Sequence, residues 1–435
     1  MKVKSLKMKS YRGIGDLEIY FDADEPIVLV GINGSGKTSI LECISLLLAS
    51  FINRINGKDD SVKNIFNKQD ITVVREVAEL RNEITLSHSI EGARLNENDI
   101  EDLTTFSGNL FISDPEFYSF NELENLTLIS LRINNQLRTN SKFNLPIMVF
   151  YPIQRSFSTN YSDNNIPRKI GAKQQLEAYE DAMLGNGVNF SSFFNWFRNR
   201  EDIENEQRLS GNLEDKDPQL EAVRNAIAEL LPNFRELRIR RLPPRMTVIK
   251  QGRELNIGQL SDGEKCLLAM IGDLARRLAI ANPGLSNPLH GTGIVLIDEI
   301  ELHLHPQWQR GIIPSLTRVF PNCQFIVTTH SPQLISDIKP SGIYILEATE
   351  SGISVRHPEI SFGRDSNQIL EELMGVSERP MSIKNDLRRL FHLIEAGDLT
   401  EAKHLQKHLE NLIGDDEPEF TKADMLTRRK EILGR

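Results

Sequence analysis

Residues Gly31–Thr38 read GINGSGKT and fit the pattern G-x-x-x-x-G-K-[ST] at every fixed position. Glycines in such a loop let backbone N–H groups converge on phosphate oxygens that side chains would otherwise keep away. Asn33, Gly34, Ser35 and Gly36 then form a phosphate cradle, and Ser39 follows it into the helix N-terminus. Lys37 brings a positive charge to the β- and γ-phosphates of ATP, and Thr38 offers a hydroxyl to Mg²⁺. A second segment, IVLIDEIELHLHP, carries four apolar residues into Asp298-Glu299. Asp298 at that strand end suits Mg²⁺, and Glu299 suits a carboxylate that polarises the attacking water. A third, IVTTHSP, ends a buried strand at His330, whose neutral imidazole can hydrogen-bond a γ-phosphate. The chemistry these three segments predict is ATP hydrolysis.

A fourth segment, LSDGEK (Leu260–Lys265), has no role in a simple phosphate-loop enzyme. Ser261 and Glu264 have the S-x-x-E spacing of a helix capping box. The loop resembles the signature loop of ABC-type ATPases, usually written LSGGQ, with Asp262 in place of a Gly and Glu264 in place of the Gln. That resemblance implies that Ser261, Asp262, Gly263 and Glu264 act in trans, on the triphosphate held by a second copy. It also implies a glutamine that senses Mg²⁺ and water, for which Gln154, after VFYPI, has the right position. Arg12 in YRG resembles an N-terminal arginine found near nucleotide in chromosome-maintenance ATPases; an ordinary surface arginine fits equally. His303 and His305 lie two apart near Glu299 and Glu301, a spacing that zinc can use, but no second cluster completes a site.

These motifs need a particular scaffold. EPIVLVG and GIVLIDE are apolar runs typical of buried strands, and each is followed by a turn and an apolar helix pattern. Strand–helix–strand–helix order predicts a parallel sheet with crossover helices. The expected fold is α/β: an ABC-ATPase head with a mixed central sheet and antiparallel hairpins, formed by 1–52 with 145–160 and 233–360. Residues 53–144, polar and rich in Asn and Asp, read as an insertion. Residues 161–232 read as a helical arm without catalytic motifs, and 361–435 as a C-terminal helical region.

The chain has 435 residues, 39% hydrophobic and 26% charged, which is ordinary for a globular protein. A formal net charge of −10 argues against a surface built wholly for nucleic acid. A local basic strand, RIRR (Arg238, Arg240, Arg241), leaves DNA contact possible, although alternating charge usually marks a solvated face. Three widely spaced cysteines, Cys43, Cys266 and Cys323, fit thiols in a reducing compartment. No apolar run reaches the roughly 18–20 residues of a membrane span, and the N-terminus lacks a secretory pattern; a cytoplasmic protein is expected.

The longer stretches FFNWFRNREDIEN, IDEIELHLHPQWQR, FGRDSNQILEELMGVSERP and LFHLIEAGDLTEAKHLQKHLENLIG resemble the ATPase subunit of Septu-type antiphage defence systems, including those linked to retrons. This resemblance implies ATP-dependent homodimers, or assemblies of dimers, that regulate a separate HNH-type nuclease. In retron-linked systems a reverse transcriptase with its RNA–DNA product would join. No TOPRIM-type nuclease pattern follows His330. The competing reading is a DNA-repair or chromosome-organising ABC ATPase that acts on DNA directly. A transporter motor fits less well, since the polar insertion and charged helices offer no coupling surface for membrane helices.

Overall fold

The structure is a computed structural model that describes residues 1–22, 24–57, 80–88, 104–114, 117–119, 124–153, 174–183, 189–209, 216–350 and 352–433. It forms two compact units, Met1–Arg364 and Asp365–Arg435.

In chain order the first unit contains β1 (Lys2–Lys9), β2 (Leu17–Tyr20), β3 (Ile27–Val30), α1 (Lys37–Ile55), β4 (Leu80–His88), β5 (Thr104–Asp114), β6 (Phe117–Ser119), α2 (Glu124–Thr139) and β7 (Ile147–Tyr151). Next come α3 (Phe190–Leu209), α4 (Pro218–Leu230), β8 (Phe234–Arg241), β9 (Pro244–Lys250), β10 (Arg253–Asn256) and α5 (Asp262–Ala281). The unit closes with β11 (Gly293–Ile297), α6 (Pro306–Gln309), α7 (Ile312–Val319), β12 (Cys323–Thr328), α8 (Pro332–Ile335), β13 (Ile343–Thr349) and β14 (Gly352–Arg356).

The central sheet has six strands in the order β14-β13-β3-β12-β11-β7. All neighbours are parallel except β14, which runs antiparallel to β13. Strand β3 lies between β12 and β13, and its four residues Ile27–Val30 are fully buried. Burial of each such side chain contributes about 1.5–3 kcal/mol. Because β3, β11 and β12 are parallel, the residues that follow them collect at one edge of the sheet, where α/β folds bind ligands. Helix α1 is the one helix among the described residues long and apolar enough to cross a membrane, and its apolar residues are buried within this unit.

An antiparallel sheet, β2-β1-β4-β5-β6, forms a second layer. Its strand β4 falls inside 53–144, the stretch read from sequence as an insertion. The alternation in EITLSH gives β4 one buried face (Asn82, Ile84 and Leu86), and β4 pairs along the length of β1. At least these residues are therefore built into the same sheet as the N-terminal strands. The helices of 161–232 likewise do not stand apart as an arm. Helix α3 packs on α5, where a Cβ added to Gly272 would come within 2.8 Å of the Phe193 ring. Helix α4 packs on both α5 and α3. PQWQRGIIPSLTRVF forms two helices, α6 and α7, separated at a left-handed Gly311 (φ 75). A third sheet, β10-β9-β8, is antiparallel and precedes α5.

The second unit contains α9 (Ser366–Glu372), α10 (Met381–Ala396), α11 (Leu399–Ile413) and α12 (Pro418–Leu433). Leu387, Leu390, Ile394, Ala402, Leu409, Phe420 and Ala423 form its core. Gly397, at φ 85, and Gly414 cap the C-termini of α10 and α11.

Candidate active site

Val30 leads directly into the glycine-rich turn, and α1 begins at Lys37. Gly36 is left-handed (φ 86), and a Cβ there would lie 2.6 Å from Ile353 Cδ1, so only glycine lets the loop close under β14. No side chain caps the N-terminus of α1, which leaves its first N–H groups available to an anion. Lys37 Nζ donates to the carbonyls of Gly31 (2.8 Å) and Ile32 (3.1 Å), folding the ammonium back over its own loop. Burial lowers the Lys37 pKa from its ordinary value, and Asp298, Glu299 and Glu301 offset part of that shift. The buried Ser35 hydroxyl has no hydrogen-bond partner among the described residues.

Asp298, which directly follows strand β11, is 1% exposed. Its N–H donates to Tyr151 O (2.9 Å), and its Oδ1 accepts from the Thr328 hydroxyl (2.5 Å). Thr328 Oγ1 in turn accepts from Glu299 N–H (2.7 Å). Glu299 is left-handed (φ 45), a conformation that costs a residue with a side chain about 1–3 kcal/mol and recurs at functional sites. His330 N–H donates to the Glu301 carboxylate. Thr328 was not picked out by sequence reasoning, the available signal being a polar residue at the end of a buried strand, and Glu301, weighed there only beside the two histidines, instead accepts from the His330 backbone.

These elements enclose a cleft of about 670 Å³. Asn33, Gly34, Gly36, Lys37, Thr38 and Ser39 form its floor, and Glu299 and His330 face them. The other end is walled by Arg12–Gly15 and the β13–β14 turn, whose backbones meet at a Gly15–Gly352 bridge. Arg12 pairs with Glu42 of α1, and its guanidinium lies 5.2 Å from the Tyr11 ring centre. Ser35 and Asp298 are buried and are not among the residues that line the cleft.

Ser261–Glu264 are not part of that lining. They start α5, where Ser261 is the N-cap and the full capping box is present. Ser261 N–H (3.1 Å) and its hydroxyl (3.0 Å) both donate to Glu264 Oε2. Lys250 Nζ donates to Glu264 Oε1, and Asp262 pairs with Lys265 at 3.1 Å. Burial pushes the Glu264 carboxyl up, but the Lys250 and Ser261 donors outweigh it and hold it below the usual carboxylate range. A Cβ on Gly263 would lie 2.1 Å from His303 O, so α5 rests directly on the turn after Glu299.

Gln154 lies outside the described residues. His305 Nδ1 accepts from Gln307 N–H as a helix cap, and no group of three or more metal-ligating side chains occurs among the described residues. Arg238, Arg240 and Arg241 are paired with Glu236, Glu254 and Asp202. A hollow of about 800 Å³ on the β8–β10 sheet is lined by Arg240 and Arg245 and is separate from the phosphate-loop cleft.

The uncapped helix end and the glycine cradle fit a nucleoside triphosphate. The Thr38 hydroxyl and the Asp298 carboxylate are hard oxygen donors of the kind Mg²⁺ takes.

Residues 27–336 match the family described as "AAA domain, putative AbiEii toxin, Type IV TA system". The chain is 29% identical to the "Retron Vc95 probable ATPase" of Vibrio cholerae serotype O1 biovar El Tor, a match covering 91% of this chain and 83% of that one. It is 25% identical to the "Septu protein PtuA" of Bacillus thuringiensis, over 88% and 87% of the two chains. Among solved structures, an SMC head bound to the C-terminal winged-helix domain of ScpA is similar, with a TM-score of 0.45 and 16% identity over 82% of this chain and 98% of that one. The phosphate loop, the acid pair after β11 and the matched span agree: the chain belongs to this AAA-domain family and is an ATPase.

Proposed function

We propose that the chain is the ATP-binding and ATP-hydrolysing subunit of a cytoplasmic antiphage defence complex, in which nucleotide pairs two heads and the paired state governs a separate HNH-type nuclease. One observation carries the pairing. The cleft that gathers Lys37, Glu299 and His330 has no wall from Ser261–Glu264, although that loop holds an exposed Ser261 at the N-terminus of α5. A second copy related by a twofold axis would complete both clefts reciprocally, since a twofold contact uses the same two patches on each partner.

Bound Mg²⁺ neutralises charge on the β- and γ-phosphates. Thr38 and Asp298 are the side chains that would hold it. Thr328 keeps the Asp298 carboxylate and the Glu299 backbone in fixed relation, so the two acids are presented as a unit. Glu299 takes a proton from the attacking water, and His330 donates to the γ-phosphate. Lys37 leaves the Gly31 and Ile32 carbonyls for the phosphate chain. Ser261 and Gly263 of the second copy exclude water and add donors on the open side.

Similarity to a retron ATPase and to PtuA supports the defence role. A reverse transcriptase with its RNA–DNA product would join in a retron-type assembly. The division of labour proposed is a nucleotide-dependent head, with the helices of Asp365–Arg435 left for partners. Three cysteines in the thiol form suit the reducing cytoplasm. The test is Glu299→Gln, which should bind ATP, slow turnover at least about 10²-fold and accumulate ATP-bound pairs that retain an HNH subunit on co-purification. Near-normal turnover would move the base elsewhere. Hydrolysis by the isolated chain that rises several-fold with DNA would instead favour the repair-type reading, with the β8–β10 face as the contact.

A further inference from the structure

The signature-like loop carries two carboxylates where an anion is to be received, and each is matched by a lysine. Asp262 is exposed and is balanced within the helix by Lys265. Glu264 differs: it is buried, and its partner Lys250 comes from another element, strand β9. The β9 register sets Lys250 opposite Phe234 of β8 and Arg253 of β10, and its Nζ lies 5.9 Å from the Phe234 ring centre. The ammonium thus reaches Glu264 Oε1, while Oε2 holds both the N–H and the hydroxyl of Ser261. One carboxylate therefore orients Ser261 and would, by itself, repel a triphosphate arriving at that serine.

We infer that Lys250 is a positioning residue for the composite active site: by neutralising Glu264 in place, it allows a loop built on a carboxylate to cap the triphosphate of the second copy. The inference rests on the proposed trans role of Ser261–Glu264. It makes Lys250 necessary only while residue 264 carries a charge. A lysine that merely braced the β8–β10 sheet would matter whatever stood at 264.

The experiment measures ATP-dependent pairing of the full chain by sedimentation, in a Glu299→Gln background that retains nucleotide. Lys250→Met keeps the aliphatic stem against Phe234 and removes the charge. It should weaken pairing at least about 10-fold when Glu264 is present, because it strands a buried carboxylate beside an anion. In a Glu264→Gln background the same change should alter pairing by no more than about twofold, in line with additivity once the interaction is gone. Lys250→Arg, which keeps the charge, should pair like the parent and guards against a folding defect in Lys250→Met. Equal losses in both backgrounds, or no loss in either, would overturn the inference. Pairing that survives Ser261→Arg overturns the trans reading and this inference with it. Pairing lost in Ser261→Arg but kept in Lys250→Met overturns this inference alone.

Discussion

Two inactive variants should restore each other if Ser261 serves the other copy's cleft. Ser261→Arg puts a bulky cation at the loop that would meet the neighbour's phosphate. Its effect on the fold is limited, since Ser261 is exposed and its contribution is the α5 cap, worth about 1 kcal/mol. Lys37→Ala removes an ammonium that donates to two carbonyls of its own loop, so it disables the phosphate cradle without touching α5. Each variant alone spoils both sites of a twofold pair. In a mixed pair one site combines an intact phosphate loop with an intact signature loop, and the other is doubly broken. With random exchange about half the pairs are mixed, each with one good site of two, so turnover should recover to about a quarter of the unmutated level. The assay is steady-state phosphate release on mixing the variants in equal amounts after exchange without nucleotide. Recovery absent above the sum of the parents would refute independent composite sites. Full turnover by Ser261→Arg alone would refute the loop's role altogether.

Two further outcomes follow from packing and charge. Gly263→Ala places a Cβ 2.1 Å from His303 O, backbone against backbone; overpacking should cost about 1–3 kcal/mol despite alanine's better helix propensity, lower the melting temperature by a few degrees and depress turnover, whereas an unchanged melt would mean that the α5 contact is looser than the geometry indicates. Asp273 is buried between Arg276 and Arg277; burial pushes its carboxyl up, the two guanidinium groups outweigh that, and it is held at about 2. A folded value below the unfolded one means that the stabilisation is present above roughly pH 4 and is lost as the pH falls through the folded value. Asp273→Asn strands two buried cations and should cost about 3–5 kcal/mol at pH 7 by urea titration, with the gap from the parent narrowing below about pH 4; a gap that does not change with pH would rule out ionisation of Asp273 as its cause.

The phosphate loop was legible because its constraints are local. Gly36 must be left-handed, Lys37 must follow it, and a buried strand must deliver both, all within ten residues. Asp298 and His330 were readable for a similar reason, as polar residues just beyond buried strands. Thr328 escaped notice because its role depends on register: β11 and β12 lie side by side, so Thr328 meets Asp298 and Glu299 across 30 and 29 residues of chain. The place of 80–88 beside β1 also depends on a long-range pairing, and its polar surroundings in the sequence resembled an insertion. Lys250 gave no sequence signal. Its partner is 14 residues away, through a β-hairpin and a helical turn.

The same long-range contacts bear on where motion can occur. Arg277 of α5 donates to Ala178 O (2.7 Å) and Glu180 O (2.8 Å), and Ser45 of α1 donates to Met183 O (3.3 Å), so the segment 178–183 ties the signature helix to the phosphate-loop helix. Asp273 adds a bond to Tyr151 at the end of β7, 3.0 Å away. At its N-terminus α5 rests on His303, one turn from Glu299. Moving α5 relative to α1 would break a buried charged network whose members have no water to replace their partners, a cost of several kcal/mol. Bringing two such heads together breaks none of these bonds and leaves Ser261 exposed to receive a phosphate. That cost favours the proposed docking of whole heads over a rearrangement within one.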